Sequence, residues 1–149
     1  MEKLNAIMRV AALHLFRQVI LKTPVDIGRA RGNWFATIGS MSKEQSDSGK
    51  SAEQVVADMI KTVENGSVKQ GFFLTNNLPY IQKLEYGGYP NPAQTGNKLV
   101  NGFSKQAPAG MVRISMEQIM KDLKEIVEDV VSQNGSGSVN AVVDKWGKK

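Results

Sequence analysis

A helical stripe at the start of the chain constrains the fold more than any other feature. Leu4, Met8, Ala11, Leu15 and Val19 recur at helical spacing, with Ile7, Ala12, Phe16 and Ile20 widening the arc. The pattern predicts a long amphipathic first helix, ended by Pro24, which disfavours helical geometry at Thr23. A core-packing role is expected, and the width of the arc leaves room for a subunit contact as well. Arg9, His14 and Arg17 interrupt the apolar run, so it does not read as a membrane span. No small-residue cleavage site follows a clean apolar core, which argues against a signal peptide.

The remaining elements follow from punctuation. Asp26 opens a turn, DIGRARGNW, that leads into a strand near residues 33–40, where Phe35 and Thr37 alternate with Trp34, Ala36 and Ile38. Residues 42–51 (SKEQSDSGKS) are polar and read as an exposed, mobile loop. Ser51-Ala-Glu-Gln54 has the form of a capping box and predicts a helix through Val55, Val56, Met59, Ile60 and Val63, stopped near Asn65-Gly66. A second strand is expected within 68–76, then a short helix capped by Asn77 and begun by Leu78 and Pro79. Tyr80 and Leu84 share a face of that helix, and Gly87-Gly88 end it. Residues 89–103 form a long loop with room for a short hairpin. Ile119, Leu123, Ile126 and Val130 mark a last long helix over 111–133, with Glu117 and Lys121 as an i,i+4 pair. Beyond it, Asn134-Gly-Ser-Gly-Ser138 reads as a linker, and VNAVVDKW as an arm whose Trp146 docks on a neighbour.

These elements predict one α+β domain over 1–133, a small antiparallel sheet covered by long N- and C-terminal helices, with a flexible arm over 134–149. At 149 residues the chain has room for one such core and not comfortably for two.

Little in the sequence points to catalysis. The chain lacks cysteine, which excludes disulfides, thiolate nucleophiles and zinc–thiolate sites. His14 is the single histidine and lies inside the first helix, so no triad or multi-histidine metal site can be built around it. Asp26 and Glu85 are the carboxylates in motif-like surroundings. Asp26 suits a turn cap, and Glu85 suits a pair with a nearby arginine. The run GYPNPAQTGNK fails as a phosphate loop, because seven residues separate Gly88 from Gly96 and Leu99 follows Lys98. No catalytic residue, metal or cofactor is expected.

Net charge is +5, and successive blocks carry +4 (1–34), −2 (35–65), +3 (66–109), −2 (110–133) and +2 (134–149). Alternating blocks suit stacking against copies of the same chain as well as DNA. No Lys/Arg run interleaved with aromatics appears, so charge alone does not favour nucleic acid. Arg29, Arg31, Lys98, Lys105 and Trp146 are the candidate interface or DNA-facing residues.

Three segments, in order, carry a family resemblance: TPVDIGRARGNW (23–34), LTNNLPYIQKLEYG (74–87) and SKQAPAGMVR (104–113). Together they resemble the tail-completion or neck proteins of long-tailed bacteriophages, over roughly residues 1–132. The matching positions are Thr23, Pro24, Asp26, Gly28, Arg31, Trp34, Asn77, Pro79, Tyr80, Glu85, Gly87, Pro108, Gly110 and Arg113. The resemblance implies a non-catalytic ring subunit, hexameric by analogy with the tail, at the junction of head and tail. Its implied partners are copies of itself, the head-closure and tail-terminator proteins, the tail tube, and double-stranded DNA passing without sequence-specific contact. No membrane is involved, and the virion neck is the implied location. A tail terminator of similar fold is the nearest alternative, a DNA-binding module the next, and a hydrolase a distant third. Members often join the second and third segments by a shorter connection, so 88–103 reads as an insertion, and the resemblance does not extend beyond Asn134.

Overall fold

The first helix, α1 (Glu2–Lys22), has apolar residues around so much of its circumference that no single neighbour could cover them. In the computed structural model, which describes residues 2–23, 30–46, 50–79, 81–86, 99–100, 103–104, 110–133 and 136–147, it is the shared wall of two cores. On one side Leu13, Phe16, Val19 and Ile20 pack with Val55, Met59 and Val63 of α2 (Ala52–Glu64). On the other, Ala6 and Val10 meet Ile119, Ile126 and Val130 of α4 (Val112–Val131) and Val142 and Trp146 of α5 (Ser136–Gly147). Leu15 packs against both clusters. Each such side chain contributes about 1.5–3 kcal/mol of transfer free energy when fully buried.

The sheet is small. Strands β1 (Phe35–Ile38) and β2 (Phe72–Thr75) pair antiparallel, with Phe35 opposite Thr75 and Ile38 opposite Phe72. The helix in closest contact with β1 is α2. It starts with the expected capping box: Ser51 Oγ accepts from the Gln54 amide, and the Gln54 side chain accepts from the Ser51 amide. It ends at Asn65-Gly66, where a Cβ on Gly66 would lie 2.4 Å from the Phe72 ring, so glycine lets the sheet approach the helix end. A two-residue ladder, β3 (Leu99–Val100) with β4 (Phe103–Ser104), forms the hairpin inside the insertion. The short helix α3 (Ile81–Tyr86) lies before it. The expected α+β class, with helices at both ends, holds.

The C-terminal segment departs from expectation. Residues 136–147 form a helix, not an extended arm, and Trp146 is wholly buried in its own chain. Its indole N–H donates to Asp129 Oδ2 at 2.9 Å, and its ring meets the edge of His14 with centroids 5.0 Å apart. Burial of a large aromatic outweighs the Gly/Ser composition that reads as linker. Lys145 adds hydrogen bonds to Asp129 (2.7 Å) and Glu125 (3.3 Å), which raise its pKa above the usual lysine value. That contribution is complete below the unfolded lysine pKa of about 10.4 and is lost as pH rises through the folded value.

The buried residues of α1 include His14, whose Nε2–H donates to Asp122 Oδ2 at 2.8 Å while Nδ1 has no hydrogen-bond partner. By length and apolarity α1 could cross a membrane; here α2, α4 and α5 pack along it and leave Leu4, Met8 and Leu21 exposed. Trp146→Ala is expected to destabilise the chain by about 3–5 kcal/mol in denaturant titrations, the usual loss for a buried aromatic. Truncation after Gln133 should lower the thermal midpoint of the isolated chain, where a loose arm would leave it unchanged.

Candidate functional site: the joint of the signature segments

The three segments that carry the family resemblance are far apart in sequence and meet in space. Ala30 and Trp34 from the first, Leu78 from the second and Met111 at the third all belong to one buried cluster. Polar side chains then tie each segment to the next.

Within the first segment, Thr23 is fully buried and its hydroxyl works in both directions. It donates to Val19 O at 2.7 Å and accepts the Trp34 indole N–H at 2.8 Å. Arg31 donates from Nε to Thr23 O (3.1 Å) and from Nη2 to Leu21 O (2.8 Å). These carbonyls lie at the C-terminus of α1, where a cation is favoured by the helix dipole and by the acceptors left without intrahelical donors. Partial burial lowers the Arg31 pKa from its ordinary value. Arg31 thus caps the end of α1. Pro24, Asp26, Gly28 and Arg29 lie outside the described residues, as do Tyr80, Gly87, Lys98, Lys105 and Pro108.

Asparagines make the next connections. Asn76 donates to Ala30 O at 2.8 Å and accepts from the Leu78 amide at 3.2 Å, joining the first segment to the second. Asn76 thus forms a turn at the start of the segment. Asn77 donates to Ser42 O (2.9 Å) and Glu44 O (3.1 Å), and the Tyr80 amide that its expected cap would hold lies outside the described residues. Asn33, buried and not foreseen as a site residue, makes a two-way bridge with the Ser46 backbone at 2.8 and 2.9 Å. The stretch 42–46, expected to be a mobile loop, is held by these two side chains. Pro79 is exposed in the turn that follows, and α3 begins at Ile81, not at Leu78.

Glu85 joins the second segment to the third. Its carboxylate is buried and accepts from the amides of Val112 (2.6 Å) and Arg113 (3.0 Å), the first two residues of α4, and from Arg113 Nε at 2.9 Å. It is an N-cap supplied from another element, since Met111 at the cap position makes no side-chain cap bond. Arg113 also donates to Glu85 O and lies over the Tyr86 ring, 5.0 Å from its centroid. Gly110 makes this possible: its φ is +89°, and a Cβ there would stand 2.6 Å from both Glu85 O and Oε2. The expected arginine partner of Glu85 is Arg113. The reason for Gly110 is visible only once Glu85 is in place.

Among the described residues, the buried polar side chains of this joint hold partners within the chain. Glu85 accepts three hydrogen bonds, and Thr23 and Asn33 each donate one and accept one within the chain. Among the described residues no three His, Asp or Glu side chains gather as a metal site. Comparison with protein-family models, curated proteins and solved structures finds no match to the chain.

Glu85→Ala should cost about 1–3 kcal/mol, the scale of hydrogen bonds to a charged group. Gly110→Ala should destabilise as well, through its positive φ and the overlap with Glu85. Because both act on one contact, urea titrations should show the double variant losing less than the sum of the two.

Proposed function

We propose that the chain is a structural subunit of the neck of a long-tailed bacteriophage. It forms a ring, a hexamer by analogy with the tail, that completes the tail and joins it to the head around the DNA channel. One observation supports this reading above others. The three segments that carry the resemblance are joined by their own side chains into one buried joint, as a signature of shape and not of chemistry would be.

Head-closure and tail-terminator proteins and the tail tube are the partners this reading supplies, and DNA passes through the lumen without sequence-specific contact. A channel through which DNA slides is ill served by many tight phosphate contacts. Arg31, which bonds the end of α1 through Nε and Nη2, fits that requirement. The tail terminator remains the neighbouring role within the same reading.

The test is reconstitution. Purified chain added to tails lacking their neck should give a ring of density at the head-proximal end in negative-stain images, and should restore joining to filled heads. A chain that binds neither tails nor heads would overturn the reading. Retardation of duplex DNA with a steep salt dependence would favour the DNA-binding alternative.

A further inference from the structure

Helix α4 carries two apolar stripes, and the fold covers one of them. Ser115, Ile119, Ile126 and Val130 face the core. Met116, Met120, Leu123 and Val127 form the second stripe, with the 4-3-4 spacing of a coiled-coil seam. Met116 and Met120 are 52% and 69% exposed, and Leu123 and Val127 are half-buried. Tyr86, 67% exposed, extends the apolar surface at one end, beneath Arg113. Exposed charges flank the seam: Arg113 and Glu117 toward the helix start, Lys124 and Glu128 toward its end.

We infer that this stripe is a docking surface for a second copy of the chain, α4 against α4 in antiparallel, two-fold register. The charge order selects that occupant. Turning the helix about an axis near residues 120–122 sets Met116 opposite Val127 of the second copy and Met120 opposite Leu123. The same pairing brings Glu117 of each copy beside Lys124 of the other, so opposite charges meet along the flank of the seam. A parallel pairing in register would leave Glu117 and Lys124 on opposite outer flanks of the seam, with no partner charge across it. Lys124 and Glu128 lie 4.0 Å apart within the chain, a weak contact that pairing across the seam would replace or share. The contact is isologous and closes as a dimer, whereas a ring needs a head-to-tail contact between two different patches. It therefore stands or falls independently of the neck assignment.

Single cysteines give a clean test, because the chain has none of its own. In this register Met120 lies about 5 Å along the axis from its copy, and Met116 about 16 Å from its copy, at 1.5 Å rise per residue. Met120→Cys should cross-link to a covalent dimer with a short thiol-reactive linker, and Met116→Cys should not. Sedimentation of the unmodified full chain should show a concentration-dependent dimer, and Met120→Glu should abolish it with the helical circular dichroism unchanged. Glu117→Lys should weaken the dimer about tenfold, summed over the two symmetric contacts, and Glu117→Lys with Lys124→Glu should restore it. A chain that stays monomeric at about 100 µM, a weak limit for any specific pairing, overturns the inference. Equal cross-linking at both cysteines, a dimer indifferent to Met120→Glu, or a monomer whose stripe captures a different virion protein would overturn it too.

Discussion

Everything in this fold leans on α1. A single helix buries one flank against α2, with the β1–β2 sheet packed on that side, and another against α4 and α5, so both cores depend on the same twenty-one residues. Polar contacts fix the angles that apolar packing alone would leave loose. His14 reaches Asp122, and Lys3 donates to Val131 O at 2.9 Å at the far end of the antiparallel α1–α4 pair. Arg9 donates to Gly66 O at 3.0 Å, holding the turn after α2. Arg31 closes the C-terminus of the same helix, which makes the first signature segment an extension of α1.

From that base the joint is assembled outward. Trp34 and Thr23 seat the start of β1, Asn76 fastens the end of β2 to Ala30, and Glu85 sets the first turn of α4. The chain thus uses backbone amides and carbonyls at element ends, the groups that most need partners, as its points of attachment. Among the described residues, the buried polar groups of the joint are accounted for by the element ends they hold.

Legibility in the sequence followed locality. The capping box of α2 lies within four residues and was readable, as were the long stripes of α1 and α4. The Glu85–arginine pair was suggested by the isolation of that carboxylate among apolar neighbours. The partners of Asn76 and Asn77 could not be read from sequence, because they are Ala30 and the 42–44 backbone, dozens of residues away. Asn33 was overlooked for the same reason. The last helix was misread because Gly and Ser dominate its start, although Val139, Val142, Val143 and Trp146 keep helical spacing. What Trp146 packs against, on α1 and α4, had no local signal.

The central claim is that the signature segments form one internal joint. Amide hydrogen exchange at Val112 and Arg113 tests it most directly, because amides in the first turn of a helix have no intrahelical acceptor and ordinarily exchange fast. If Glu85 caps α4 as described, both amides should be protected nearly as well as the middle of that helix, and the Trp34 indole N–H should share that protection. Rapid exchange at Val112 and Arg113 beside a protected helix centre would contradict the account.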